Sequence, residues 1–210
     1  MIFGKIDYLN LLPFYLFLQK NIPKLSKFKK GVPSEINYQF HSRKVDIAFI
    51  SSITSSKSKC SDLGIIAKKD VLSVLVLNNK ERKQDSASET SNSLADILEE
   101  NGEVIIGDKA LQIYFQNQEN ITDLALKWNQ KYNLPFVFAK LCFHKNSTII
   151  KKISNKFRKT KTSLPFYILN RVSKNMNLSK SQIKIYLSKI DYLCNRQTKR
   201  GLNKFLKMSK

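Results

Sequence analysis

The chain has 210 residues, of which 42% are hydrophobic, and its formal net charge is +21. This length and hydrophobicity predict a folded, soluble protein with one large domain or two small lobes. Only six of the 37 basic residues are arginine, whereas proteins that read bases or phosphates favour arginine, so we expect no nucleic-acid partner.

The first half of the chain alternates apolar runs typical of strands with segments typical of helices. Residues 2–9 and 45–50 ("VDIAFI") are predicted strands, and residues 13–19 are a predicted helix with a proline near the first turn. Residues 70–77 ("DVLSVLVL") have the strongest strand pattern. The alternation predicts an α/β sheet with crossover connections.

The middle of the chain begins with a wholly polar segment, residues 78–93. It leads into a predicted helix that holds Leu94, and a short strand follows at residues 104–106. A helix is predicted over residues 121–132, and a strand over residues 136–143.

The rest of the chain, residues 146–210, is predicted to form lysine-rich amphipathic helices. Apolar residues repeat at helical spacing behind Ser179, a potential helix cap. These residues are Ile183, Tyr186, Leu187, Ile190 and Leu193. Such helices cover a sheet and expose their lysines to solvent.

The two strong strands bracket about 60 residues that have a strand and helices of their own, as when a small lobe is inserted into a larger one. We therefore predict a larger lobe formed by residues 1–77 and 140–210, and a smaller lobe formed by residues 78–139. A ligand would bind in the cleft between them.

Composition also bears on the compartment. The first residues lack a secretory leader pattern, and no run of about 18 uncharged apolar residues occurs, so neither export nor membrane spanning is predicted. The three cysteines are Cys60, Cys142 and Cys194, which lack the spacing of a metal motif. These features favour a reducing cytoplasm and no structural metal. The lysine excess is interpreted as compositional bias, or as steering of a small anionic substrate.

Polar residues follow the predicted strands where a cleft would lie. Asn10 follows the first strand, Ser51 and Ser52 follow the second, and Gly107 and Asp108 follow the short one. We expect Asn10 to place an uncharged donor and acceptor in the cleft, although an Asx turn or cap explains it too. The serines would equally serve as helix caps, and Asp108 as an ordinary turn residue.

Six stretches, in order along nearly the whole chain, resemble the chorismate dehydratases of the futalosine route to menaquinone. They are "YLN-x-LP", "DIAFISS", "DSASETSNSL", "IIGDKAL", "DLALKWNQKYNLPFVFA" and "IKIYLSKIDYLCN…GLNKF". The resemblance implies a two-lobed α/β fold like that of type 2 periplasmic binding proteins. It also implies loss of water from chorismate without a cofactor, giving 3-[(1-carboxyvinyl)oxy]benzoate. The oligomeric state stays open between monomer and homodimer.

The resemblance also implies site residues. Asn10 matches the amide that contacts the substrate near its leaving hydroxyl, and Ser51 and Ser52 lie where a carboxylate would be bound. A hydroxyl-rich segment matches the Ser/Thr segment of the family, although a polar linker with one cap residue is an alternative. Its residues are Ser86, Ser88, Thr90 and Ser91. Glu89 departs from the family pattern, and we expect it to face solvent because an acid would repel a dianion.

Two other functions stay open. One is the 1,4-dihydroxy-6-naphthoate synthase of the same pathway, which shares the fold and is expected to use a histidine; His41 and His144 are the histidines of this chain. The other is a solute-binding protein without chemistry, which normally requires export.

Overall fold

The computed structural model describes residues 1–22, 27–116, 119–160 and 163–210, which fold into two β-sheets surrounded by helices. The strands are β1 (Ile2–Lys5), β2 (Lys27–Lys30), β3 (Ile47–Ser51), β4 (Cys60–Ala67), β5 (Val74–Leu77), β6 (Glu103–Ile106), β7 (Ile121–Asp123), β8 (Phe136–Phe143) and β9 (Ile190–Leu193). The helices are α1 (Leu12–Asn21), α2 (Pro33–His41), α3 (Ser52–Ser55), α4 (Glu89–Ile97), α5 (Gly107–Gln116), α6 (Leu124–Tyr132), α7 (Ser147–Arg158), α8 (Phe166–Met176), α9 (Lys180–Lys189) and α10 (Arg196–Met208).

The larger sheet has the strand order β2-β1-β3-β8-β4-β9. Strand β1 pairs in parallel with β2 and β3, whereas β8 runs antiparallel to β3 and β4. Because β1 and β3 are parallel neighbours, their carboxyl ends meet at one edge of the sheet. Asn10 and Ser51 both lie beyond or at that edge, as predicted.

The smaller sheet has the order β6-β5-β7, and β5 is antiparallel to both neighbours. This corrects one strand of the sequence analysis, which placed residues 70–77 in the larger lobe. Residues 70–73 precede β5 and contain Leu72 at a φ of 61°. The pattern of apolar residues could not show that the chain had already left the larger sheet before β5 began.

Helix ends follow local capping chemistry. The side chain of Asp123 accepts hydrogen bonds from the backbone N–H groups of Ala125 and Leu126, which starts α6 after β7. Asn133 ends α6 at a φ of 52°. The predicted cap Ser179 is confirmed, since it accepts a bond from the backbone N–H of Gln182.

Three sequence predictions need correction. The helical repeat predicted to continue to Leu193 stops at residue 189, and β9 joins the edge of the larger sheet. The helix predicted over residues 121–132 contains β7 in its first three residues. The first strand ends at Lys5 rather than Leu9, because residues 9–11 form a short 3-10 helix. Each error joins two elements that share a continuous apolar pattern.

The core lies mainly between the larger sheet and its helices. Phe14 is fully buried, and its ring contacts Phe49 and Phe157 edge-on at about 5 Å. Trp128 and Phe136 form a second aromatic group. Burying each such side chain contributes about 1.5 to 3 kcal/mol, so Trp128 and Phe136 serve as core.

Two cysteines without a predicted partner are cross-strand neighbours. Cys60 in β4 lies opposite Cys142 in β8, and their sulfurs form a disulfide. Cys194 is a free thiol. Among the described helices, none is both long and apolar enough to cross a membrane.

Direct hydrogen bonds connect the parts of the chain that carry the two sheets. The backbone N–H of Leu9 donates to Asp108 Oδ1 at 3.0 Å, and that of Ile53 donates to Thr90 Oγ1 at 3.3 Å. These bonds fix the first turns of α5 and α4 against segments that follow β1 and β3.

Candidate active site

A cavity lies between the two sheets, and we call it the central cavity. Its volume of about 70 Å³ is several times the roughly 10 to 15 Å³ that one water occupies. The apolar wall includes Phe49, Ile65 and Phe138 from the larger sheet, and Val74 and Ile106 from the smaller one. Polar groups come from seven residues: Tyr8, Asn10, Ser51, Ser73, Ser88, Ser91 and Gly107.

The wall of the central cavity is polar without being charged. Among the described residues, no lysine, arginine, aspartate or glutamate side chain lines it, despite the net charge of +21. The cavity therefore suits a ligand that is bound by hydroxyl and amide groups and by helix N-termini.

Asn10 is carried by the 3-10 helix that follows β1. Its backbone carbonyl accepts a hydrogen bond from the Tyr192 hydroxyl at 2.6 Å, which fixes the turn. Its side-chain Oδ1 is buried and has no hydrogen-bond partner among the described residues. A buried carbonyl left unpaired costs about 1 to 3 kcal/mol, so this oxygen is suited to accept a bond from a ligand.

Ser51 is at the end of β3 and is held by Asn37 of α2. The Asn37 amide donates to Ser51 Oγ, and its carbonyl accepts a bond of 2.9 Å from the Ser51 backbone N–H. Because the hydroxyl oxygen is already an acceptor, its own hydrogen is available to a ligand. The prediction placed Ser51 at the cleft, and it lines the cavity.

Ser88 and Ser91 bring the N-terminus of α4 to the cavity. Ser88 is the N-cap, and its Oγ accepts a bond from the Ser91 backbone N–H at 3.2 Å. The two hydroxyls are 2.8 Å apart and both lie on the cavity wall. Ser88 therefore caps α4, which was the alternative to binding, and it also lies on the cavity wall, where the binding prediction places it.

Gly107 begins α5 and packs directly beneath the ring of Tyr8. Its φ is 70°, and a Cβ at this position would come within 2.7 Å of that ring. A side chain is therefore excluded, and the start of α5 approaches the cavity closely. Burial raises the pKa of the Tyr8 hydroxyl to about 12, so this phenol is neutral at physiological pH.

Four predicted binding residues lie outside the cavity wall. Ser52 is fully buried and its hydroxyl donates to the carbonyl of Val137, while Thr90 accepts the bond from Ile53. Ser86 is exposed on a separate surface pocket. Asp108 is turned toward Leu9, whose N–H it accepts. The hydroxyl-rich pattern could not show which side chains point inward.

Ser73 is a lining residue that the sequence analysis missed. It is almost fully buried, its Oγ accepts a bond of 3.0 Å from the Tyr186 hydroxyl, and its carbonyl accepts one from the Gly107 N–H. One signal could have found it, since Ser73 is the polar residue within the apolar run "DVLSVLVL".

Other candidate residues lie elsewhere. His144 stacks on Phe40, and its Nε2 is 2.7 Å from the carbonyl oxygen of that residue. His41 is exposed. Glu89 is exposed in the first turn of α4, as expected. Within the described ranges, no three His, Cys, Asp or Glu side chains come together as a metal site would require.

Sequence comparison places the whole chain among known proteins. A family model described as menaquinone biosynthesis matches residues 1–100 and 88–210. A chorismate dehydratase from Campylobacter jejuni is 44% identical over 218 aligned positions, which cover 100% of this chain and 98% of that protein.

Structural comparison relates the fold to periplasmic binding proteins. A crystal structure of an Archaeoglobus fulgidus protein has a TM-score of 0.66 at 10% identity, with 99% of this chain and 96% of that one covered. The periplasmic aliphatic sulphonate binding protein of Escherichia coli has a TM-score of 0.55 at 14% identity, with coverages of 99% and 85%. At such identities the likeness concerns the fold, which is the predicted α/β type 2 periplasmic-binding-protein architecture.

Proposed function

Because this chain belongs to the menaquinone biosynthesis family, we propose that it is a chorismate dehydratase. The reaction removes the hydrogen on C3 and the hydroxyl on C4 of chorismate as water, and gives 3-[(1-carboxyvinyl)oxy]benzoate. The observation that carries the proposal is the uncharged cavity, which combines the unpaired Asn10 oxygen with serines at helix ends.

The central cavity suits a substrate with two carboxylates. The N-termini of α4 and α5 border it, and a helix N-terminus stabilises an anion through its dipole and N–H groups. The hydroxyls of Ser51 and Ser91 would donate to carboxylate oxygens, and Ser88 would join them when its hydroxyl, which donates to Ser91 Oγ, rotates toward the ligand. Neutral donors hold a dianion without a salt bridge that would have to be broken on product release.

Asn10 would orient the reacting part of the ring. Its free Oδ1 can accept a hydrogen bond from the C4 hydroxyl, which fixes the leaving group relative to the C3 hydrogen. The ring becomes aromatic as water leaves, so the substrate supplies the driving force and the protein mainly positions it. No cofactor is needed for this chemistry.

The remaining predicted site residues would act indirectly. Asp108 supports the Asn10 turn through Leu9, and Thr90 joins α4 to α3. Ser52 anchors the end of β3 to β8. Two lobes close to the predicted ones would close over the substrate. Strand β5 belongs to the smaller lobe because it pairs with β6 and β7, and β8 belongs to the larger lobe because it pairs with β3 and β4. The residues that line the cavity come from one chain, so we propose that each copy carries a site of its own in a monomer or in a homodimer.

We place the enzyme in the cytoplasm. The structure pairs Cys60 with Cys142 in a disulfide, and a reducing compartment would open it to two thiols, since cytosolic disulfides are rare. Alkylation of the protein at cell lysis, followed by mass analysis, tests this, and Cys60 and Cys142 that stay unalkylated until a reductant is added would contradict it.

The alternative functions fit the cavity less well. The 1,4-dihydroxy-6-naphthoate synthase is expected to use a histidine, and His41 and His144 lie off the cavity wall. A solute-binding protein would bind chorismate and release it unchanged, so an assay for the product distinguishes this alternative from the dehydratase.

The deciding experiment incubates the purified protein with chorismate, without added metal or nucleotide. We expect 3-[(1-carboxyvinyl)oxy]benzoate, identified by mass and ultraviolet absorbance. Unchanged chorismate would contradict the proposal, and activity lost to a chelator and restored by metal would contradict the cofactor-free reaction.

A further inference from the structure

Two buried hydroxyls form a connected pair behind the central cavity. Ser73 lies just before β5, with 1% of its surface exposed, and it lines the cavity. Tyr186 lies on α9, is fully buried, bonds Ser73 through its hydroxyl, and is not one of the residues that line the cavity. The pair therefore links a helix of the C-terminal region to a cavity wall residue 113 positions earlier in the sequence.

The direction of the hydrogen bonds leaves one hydrogen free. Tyr186 donates to Ser73 Oγ at 3.0 Å. Within the described residues, the Ser73 hydroxyl has no acceptor for its own hydrogen. A hydroxyl that already accepts one bond donates more strongly, because bonds in a chain polarise one another. Because Ser73 lines the cavity, its hydrogen is available to a ligand there.

Tyr186 can keep this donor role. Burial raises the pKa of its phenol, so the hydroxyl stays protonated at physiological pH and has a hydrogen to donate to Ser73.

We propose that Ser73 is a further substrate-binding residue, which donates its hydroxyl hydrogen to an oxygen of the bound substrate, and that Tyr186 is the positioning residue that directs it. This inference rests on the proposed function. It explains why a serine interrupts the apolar run before β5, and why a tyrosine is fully buried behind it.

The test compares wild type, Ser73→Ala, Tyr186→Phe and the double variant in steady-state chorismate turnover. We expect Ser73→Ala to lower kcat/KM about 10-fold to 100-fold, the usual effect of removing a bond to a charged or reacting oxygen. Tyr186→Phe should lower it less. The double variant should lose less than the product of the two single losses, because both changes remove one connected arrangement.

Tyr15→Phe is the matched control. Tyr15 is also buried, its hydroxyl bonds the backbone N–H of Ile6 at 3.1 Å, and it is off the cavity wall. We expect reduced thermal stability with unchanged kcat/KM per folded molecule, with folding checked by circular dichroism. A structural role alone would give the same pattern for Ser73→Ala and Tyr186→Phe.

The outcomes separate the inference from the proposed function. An active wild type whose Ser73→Ala and Tyr186→Phe variants keep wild-type kcat/KM overturns the inference and leaves the dehydratase intact. Single losses that multiply in the double variant overturn the positioning role of Tyr186. A wild type that does not convert chorismate overturns the proposed function, and the inference with it.

Discussion

The backbone N–H of Leu9 donates a hydrogen bond of 3.0 Å to the carboxylate of Asp108, which lies 99 positions away in the sequence. Leu9 precedes Asn10 in the same 3-10 helix, and Asp108 is in the first turn of α5. The bond therefore ties the proposed catalytic turn to the part of the chain that carries the smaller sheet.

The first prediction concerns the charge on Asp108. Burial raises the pKa of this carboxyl above 3.8, although the bond from Leu9 opposes the rise. Since the folded state binds the proton more tightly, Asp108 contributes stability that is fully present below the unfolded pKa and is lost as pH rises through the folded pKa. Asp108→Asn keeps an acceptor for Leu9 and removes this dependence.

The measurement is urea unfolding of both proteins across pH 4 to 7. The stability of the wild type relative to Asp108→Asn should fall as pH rises through this window. A difference that is independent of pH, or one that grows with pH, would contradict the raised pKa.

The second prediction separates two serines of the "DSASETSNSL" segment. Ser88→Ala removes the α4 cap, which costs about 0.5 to 2 kcal/mol of stability, together with a hydroxyl on the cavity wall. If that hydroxyl binds a carboxylate equally in ground and transition states, KM rises while kcat holds. Ser86→Ala is the control, because Ser86 is exposed outside the cavity. Equal KM values for the two variants would exclude Ser88 from binding.

The sequence predicted most of the framework because periodicity and strand ends follow from local chemistry. Asn10 and Ser51 were expected at the cleft since both follow buried strands, and both line the cavity. Side-chain direction needed the tertiary structure. Ser52 and Thr90 differ from their lining neighbours Ser51 and Ser91 by one position, yet their hydroxyls bond backbone groups of β8 and α3 instead.

Long-range contacts were the other part that the sequence could not provide. Nothing local pairs Ser73 with Tyr186, or Cys60 with Cys142, because these contacts arise from the pairing of distant strands and helices. The strand β9 was missed for the same reason. Its residues continue the apolar pattern of α9, and only pairing with β4 makes them a strand.

The third prediction concerns the net charge of +21. Since the described cavity wall carries no charged side chain, the lysines can act on the substrate only from a distance. Steering should make kcat/KM fall as salt rises while kcat changes little, because screening operates over about 8 to 10 Å at physiological ionic strength. Initial rates at about 0.02 M and about 0.5 M salt, which span weak to strong screening, provide the test. An unchanged kcat/KM would leave the lysine excess as compositional bias.

The last prediction concerns Asn10→Ala. If Oδ1 holds the leaving hydroxyl, losing it in a water-poor site costs about 2.7 to 4 kcal/mol of transition-state stabilisation, a loss in kcat of roughly 100-fold to 1,000-fold. The fold should be nearly unaffected, because Oδ1 has no partner among the described residues and the backbone bond to Tyr192 stays.

Asn129→Ala is the matched control. The Asn129 amide donates to the carbonyls of Lys68 and Leu134 away from the cavity, so this variant should lose about 1 kcal/mol of stability and keep its kcat. Urea unfolding and steady-state kinetics on both variants separate the two effects. If Asn10→Ala is instead the less stable variant and its kcat per folded molecule equals that of the wild type, Asn10 supports the turn and does not act on the substrate.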